Sequence, residues 1–281
     1  MNILYSGDGN IADGLILSTL SLAKNVSAPL DIYILTASFE YRGKKYIGLD
    51  ADLPLFLEGY LKQYNENIKI TLIDISDRFE EEIPSANMDT RFTPCCMLRL
   101  FADGVDALPS KILYLDNDVI CREDPSFFYD QQLGDCSMAG VLDYYGGWFF
   151  RQRWYKRDYL NSGVLLLNLV RIRENGLFKD AREMCVTKKM FMPDQSALNK
   201  LCQKKIICDR RYNEQRKLRP DTVFQHFTTS FRFLPYFHSV SVKPWNIEGM
   251  HKTLKLHEYD GLLDEYLNIK KIYKGEPKHE H

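Results

Sequence analysis

Residues 111–118 read Lys111-Ile112-Leu113-Tyr114-Leu115-Asp116-Asn117-Asp118, an apolar strand that runs directly into two carboxylates flanking an amide. A run this short and this apolar is expected near the middle of a sheet covered on both faces. In open α/β sheets ligands bind beyond the carboxyl ends of the strands, so the acidic triplet stands where a site would be. Its hard oxygens suit Mg²⁺ or Mn²⁺, ions that also take oxygens from a substrate diphosphate. Asp and Asn are common in solvated turns too, and it is the preceding strand that favours the metal reading.

Working outward, Asn2–Ser6 reads as a buried strand broken by Gly7-Asp8-Gly9-Asn10. A helix is expected from about Asp13, with Ile16, Leu20 and Ala23 at helical spacing, then a strand over residues 31–36. Residues 52–64 look helical and Ile68–Asp74 reads as the next strand. This alternation predicts right-handed βαβ units and a mainly parallel central sheet flanked by helices. The polar residues 76–90 are expected to form a loop. Pro94 can open a helix that turns Met97, Leu98 and Phe101 inward and leaves Arg99 on another side. Residues 137–142 and 159–169 are further apolar strands. Between them, residues 144–159 carry Trp148, Phe149, Phe150, Arg151, Arg153 and Trp154, either acceptor platforms or a covering loop. With no repeat or linker in view, the organisation expected is a catalytic domain over residues 1–246 and a C-terminal helical elaboration and tail over 247–281.

The chain has 281 residues, 45% hydrophobic and 27% charged, which fits a folded globular protein. A formal net charge of -1 gives no global argument for a nucleic-acid partner. Seven cysteines without regular spacing, and no C-x-x-C pair, argue against a disulfide framework and a structural zinc site. Met1 leads straight into the first strand without a signal-peptide pattern, and no apolar stretch nears the ~20 residues that span a bilayer. The expected compartment is the cytoplasm.

Other motifs are weaker one by one. Gly7-Asp8-Gly9-Asn10-Ile11-Ala12 fits the G-x-G-x-x-A dinucleotide fingerprint, but no acidic residue ends the second strand at Thr36 to hold a ribose. Asp8 and Asn10 are read instead as contacts to a nucleotide's base or ribose. Asn161-Ser162-Gly163 could hydrogen-bond sugar hydroxyls, although taken alone turn chemistry is the better explanation. Asp194, in Pro193-Asp194-Gln195, could be an N-cap. His226 lies in a strand-like run and, as a neutral imidazole facing Asp116 and Asp118, would complete a metal shell.

Taken in order, these signals resemble glycosyltransferase family 8. They are Ile3-Leu4-Tyr5-Ser6 with Asp8 and Asn10, then Arg99-Leu100, Tyr114-Leu115-Asp116-Asn117-Asp118, Tyr159 to Leu169 with Asn161-Ser162-Gly163, Pro193-Asp194-Gln195, and Lys243-Pro244-Trp245. The resemblance implies a GT-A fold and a Mn²⁺-dependent (Mg²⁺ as the alternative), retaining transfer of galactose or glucose from UDP-hexose to a glycan or glycolipid acceptor of the lipopolysaccharide type. It implies nucleotide contacts from Ser6, Asp8, Asn10 and Asn117, and Mn²⁺ on Asp116 and Asp118. It also implies a donor-sugar pocket of Arg99, Asp116, Asn161, Ser162, Asp194 and Gln195, with Asp194 and Gln195 at the chemistry. The family often places a metal-binding His a few residues before Lys-Pro-Trp. Here Lys243 lies far beyond His226, so Arg232 holds the Lys register relative to His226, while His238 sits nearer Lys243. His226 is the favoured ligand with His238 its rival, and either Arg232 or Lys243 would neutralise the diphosphate. Lys270, Lys271 and Lys274 would give at most weak attraction to a membrane's inner face.

Front-face transfer, with Asp194 orienting a donor hydroxyl, is the expected mechanism. Two rivals are a haloacid-dehalogenase-type phosphatase using Asp116 and Asp118, and a nucleotide-sugar-binding relative without transfer.

Overall fold

The protein is seen in a computed structural model that describes residues 1–90, 94–146, 158–232 and 238–275, with the backbone alone at residues 231, 232 and 238. Its strands are β1 (Asn2–Ser6), β2 (Leu30–Thr36), β3 (Phe39–Tyr41), β4 (Lys44–Tyr46), β5 (Ile68–Asp74), β6 (Lys111–Leu115), β7 (Val119–Cys121), β8 (Met138–Leu142), β9 (Leu160–Asn168), β10 (Lys205–Ile207), β11 (Phe224–His226), β12 (Ser230–Arg232) and β13 (His238–Val240). Seven make the central sheet in the order β10-β8-β9-β6-β1-β2-β5, which puts β6 in the middle. Only β9 runs against its neighbours; β6–β1, β1–β2, β2–β5 and β8–β10 are parallel pairs.

Alternation along the strands builds two cores. Leu113 and Leu115 of β6, Val164 and Leu166 of β9, and Ile3 and Tyr5 of β1 pack on one face. Ile112, Tyr114, Leu165, Leu167 and Leu4 pack on the other. A sheet buried on both faces needs apolar residues at successive positions, which is why these strands read as continuous rather than alternating runs.

Helix α1 (Ala12–Asn25) follows β1 and buries its length in the first core, and α2 (Asp52–Leu61) precedes β5. The C-terminal helix Asp260–Tyr273 packs into that same core through Leu263, Tyr266 and Ile269. Lys270 of that helix pairs with Asp13 of α1 at 2.7 Å, tying the helix to α1. Among the described residues no helix is long and apolar enough to cross a membrane.

Four local expectations are corrected. Residues 76–90 are not all loop: Ser76–Glu81 is helical, with Asp74 Oδ1 accepting from Ser76 N at 2.8 Å and Phe79 fully buried between Phe39 and Phe101. Pro94–Gly104 is a long 3₁₀ segment, and Arg99 does not leave the buried side; it is 4% exposed and held by ion pairs. Asn161, Ser162 and Gly163 belong to β9 itself, not to a turn before it. Asp194 does not cap its helix, Pro193–Leu201, which begins after Met192 with Asp194 in its first turn.

Candidate functional site

β1 and β6 are parallel neighbours, and the chain leaves them toward opposite halves of the sheet. That reversal opens a crevice beyond their carboxyl ends. Asp116 N donates to Gly163 O at 2.8 Å and Val119 N to Asp116 O at 3.2 Å, which pins the acidic turn against β9. The turn leads into β7, whose antiparallel partner β11 sets His226 opposite Val119. His226 Nε2 then lies 3.1 Å from Asp118 Oδ1 and 3.6 Å from Asp116 Oδ2. The ligand atoms of all three residues fall within 4.8 Å of one another.

The donors fit a divalent ion. Asp116 Oδ1 is occupied by Arg99 Nη2 and the Tyr114 hydroxyl, both at 2.8 Å, which leaves Oδ2 facing His226. Asp118 Oδ1 is buried with the His226 imidazole 3.1 Å away and no other hydrogen-bond partner, an arrangement that a cation shared between the two would satisfy. Burial alone would push the Asp118 carboxyl up, but the Lys243 ammonium, joined by His226 when the imidazole is protonated, outweighs it and holds it well below the usual carboxylate range. Among the described residues a second carboxylate–imidazole group, His251, His257 and Asp260, differs in lying at the surface, with each Asp260 oxygen bonded to a histidine at 2.7 and 3.2 Å.

On one side of these carboxylates lies a cradle built on Arg99. Its Nε is 3.2 Å from Asp194 Oδ2, its Nη1 donates to Ser162 O at 2.7 Å, and its guanidinium stacks 4.1 Å from the Tyr114 ring centroid. Burial lowers the affinity of Arg99 for its proton, yet the flanking Asp116 and Asp194 raise it above the ordinary value, so the buried charge is compensated. Gln195 Oε1 accepts from Ser162 N at 2.9 Å and its Nε2 donates to Asp143 Oδ2 at 3.2 Å. Asn161 Nδ2 donates to the same Asp143 oxygen at 2.9 Å.

On the other side, Asp8 accepts from Asn10 N at 3.1 Å and from Asn10 Nδ2 at 3.0 Å, fixing the turn Gly9–Ile11. Ser6 shares a 3.3 Å hydrogen bond with Tyr114. Ser6, Asp8, Asn10 and Asn117 line the same cavity of about 420 Å³ as Arg99, Asp116, Asp118, Asn161, Ser162, Asp194, Gln195, His226 and Lys243. Lys243 Nζ bonds Asp118 Oδ2 and donates to Phe227 O at 3.2 Å. The antiparallel pair β12–β13 lies between His226 and Lys243 in sequence, which accounts for their wide spacing, while both residues reach Asp118. The side chains of Arg232 and His238 lie outside the described residues, as do Trp148, Phe149, Phe150, Arg151, Arg153 and Trp154.

Sequence reasoning missed Asp143, Asn213 and the role of Gly163. Asp143 directly follows the apolar strand β8, the same signal that singled out Asp116. A Cβ on Gly163 would lie 2.0 Å from His226 Cε1, so only glycine lets the histidine reach the carboxylates. Asn213 carries no such signal, sitting in the turn after Arg210–Tyr212.

A mostly parallel sheet with a carboxylate site at its switch point defines the class, a GT-A type nucleotide-diphospho-sugar transferase fold. The galactosyltransferase LgtC, solved with donor and acceptor sugar analogues, superposes with a TM-score of 0.71 at 21% identity over 99% of this chain and all of that one. The glycosyl transferase family 8 model matches residues 2–249, and the chain belongs to that family. Lipopolysaccharide glucosyltransferase WaaO of Escherichia coli K12 is 27% identical over 88% of this chain and 73% of its own length. Lipopolysaccharide 1,3-galactosyltransferase of Salmonella typhimurium LT2 is 25% identical over 89% and 74%.

Proposed function

We propose that this glycosyltransferase moves galactose or glucose from UDP-hexose to a glycan or glycolipid acceptor of the lipopolysaccharide type, with retention of the anomeric configuration. It would work in the cytoplasm, at the inner face of the membrane for a lipid-borne acceptor. The observation that carries the reading is the convergence of Asp116, Asp118 and His226 between Asp8 and Asn10 on one side and Arg99 and Asp194 on the other, in one cavity. A Mn²⁺ ion held by Asp116, Asp118 and His226 would act as a Lewis acid on the leaving diphosphate. Asp8 and Asn10 would hold the uridine end, and Lys243 would neutralise charge on the departing diphosphate. Arg99 would fix Asp116 and Asp194 so that a donor hydroxyl meets a carboxylate of set orientation.

The hydrogen bonds suit Asp194 and Gln195 to orienting the donor in a front-face attack. Gln195 Oε1 is taken by the Ser162 backbone, and Asp194 Oδ2 faces the Arg99 guanidinium. Held in this way the two side chains are set to orient donor hydroxyls, while Asp194 Oδ1 accepts from the Cys96 thiol at 3.7 Å. Release of UDP should be measured from UDP-galactose, UDP-glucose, GDP-mannose and CDP-glucose, with Mn²⁺ and with EDTA, and the product's anomeric configuration read by NMR. Mn²⁺-dependent release from UDP-hexose with a retained product is expected. Release from GDP- or CDP-sugars alone would overturn the uridine assignment, and tight UDP binding without turnover would indicate a binding protein.

A further inference from the structure

We propose that Asn213 is a positioning residue that fixes the tautomer of His226 and ties this metal-side imidazole to the amides on the sugar side of the cavity; the inference rests on the site reading above. The hydrogen-bond polarity follows from two groups whose roles are not adjustable. Gly163 N can only donate, and it donates to Asn161 Oδ1 at 3.0 Å. The Asp143 carboxylate can only accept, and it takes Asn161 Nδ2 at 2.9 Å. The Asn161 amide is therefore oriented from both ends.

Asn161 Oδ1 must then also accept from Asn213 Nδ2, 2.9 Å away. That leaves Asn213 Oδ1 facing His226 Nδ1 at 3.2 Å, and an oxygen there requires the proton on Nδ1. The Nε2 lone pair is thereby left pointing at Asp118 and Asp116. A neutral imidazole with a bare Nε2 beside two carboxylates is disfavoured by itself and suited to share a cation with them. Asn213 is fully buried, so no water competes for either of its bonds.

The chain continues to the sugar side. Asp143 Oδ2 also accepts from Gln195 Nε2 at 3.2 Å, which turns Gln195 Oε1 onto Ser162 N. One acceptor, Asp143, so orients both Asn161 and Gln195, and Asn213 carries that orientation to His226. None of these four side chains needs to move for the others to be satisfied.

The test begins with the wild-type chain, without metal and above the titration range of imidazole. Side-chain ¹⁵N NMR of His226 should show a protonated Nδ1 and an unprotonated Nε2, and a proton on Nε2 overturns the proposal without any variant. Asn213→Leu removes both bonds and should weaken Mn²⁺ binding, read by electron paramagnetic resonance, by about 10- to 100-fold with loss of the Nδ1–H signature. Asn213→Asp keeps an acceptor for His226 Nδ1 and should retain the tautomer and Mn²⁺ affinity to within a few-fold, while raising KM for the donor sugar as Asn161 loses its partner. Equal Mn²⁺ affinity in Asn213→Leu and wild type sinks this inference and leaves the metal site standing. Absence of Mn²⁺ binding in the wild type sinks the site reading, and the NMR result still decides the tautomer.

Discussion

Gly163 has no room for a side chain, because the nearest heavy atoms to a Cβ there are three atoms of the His226 ring, at 2.0 to 2.8 Å. Gly163→Ala should push the imidazole away from Asp116 and Asp118 while β9 keeps its pairing. Overpacking of this kind costs about 1–3 kcal/mol of stability, a modest fall in a urea midpoint. The larger effect is expected on function, a drop in Mn²⁺ affinity of at least about tenfold, since a displaced ligand is a worse fault than a lost second-layer contact. A variant with normal Mn²⁺ affinity would show that His226 is not a ligand. Asp118→Asn attacks the same centre through charge. Its carboxyl is held below the ordinary range by Lys243 and His226 despite burial. The unfolded chain therefore takes up a proton at a pH where the folded chain still refuses it. Stability from this group is whole above pH ~4 and drains as pH falls further. Asp118→Asn should flatten that acid limb of the stability profile and abolish metal-dependent UDP release, and an unchanged acid limb would mean that Lys243 and His226 do not stabilise the carboxylate.

The elements legible in the sequence were those whose burial is continuous along the chain. β1, β2, β6, β8 and β9 announce themselves because both of their faces are covered, whereas the edge strand β5, with Lys69 exposed, is legible from Ile68, Ile70, Leu72 and Ile73. Ser76–Glu81 was hidden, since a single buried residue, Phe79, holds it and five polar or charged neighbours mask that. Arg99 was misplaced for a related reason: burial of a guanidinium depends on Asp116 and Asp194, which are 17 and 95 positions away and meet it only in three dimensions. Asp116 and Asp118 could be found because they end a strand; Asn213 could not, because its value lies in its two partners, Asn161 and His226. The C-terminal helix makes the matching point for organisation. Ile269 is fully buried in the first core and Leu267 is 40% exposed on the same helix. Ile269→Ala should therefore cost about 2–5 kcal/mol in urea unfolding, against about 0.5 or less for Leu267→Ala. Equal, small effects would indicate that residues 1–246 fold without support from the elaboration.

Across the whole molecule, covering both faces of a seven-stranded sheet also buries groups that titrate on the alkaline side. All seven cysteines are free thiols, and burial pushes Cys185 up to about 12 and Cys202 up to about 11 from an ordinary 9.0. Burial likewise raises the Tyr159 and Tyr266 hydroxyls to about 12 from 10.0. For each group the folded state keeps its proton where the unfolded chain has already lost it. The stability they contribute is complete below the unfolded pKa and declines as pH rises through the folded one. The protein should thus hold a level urea midpoint up to about pH 9 and lose stability steadily from there to about pH 12, thiols first and phenols next. Cys185→Ala and Cys202→Ala together should shrink the early part of that decline, leaving the share of Cys96, Cys121 and Cys208, whose thiols burial also raises, and the later tyrosine part in place. Alkylation supplies an independent reading, since thiols kept protonated by burial react slowly near pH ~8. A midpoint that stays level to pH ~11 in the wild type, with rapid labelling of Cys185, would mean that the second core is open to solvent on the side where Cys185 packs.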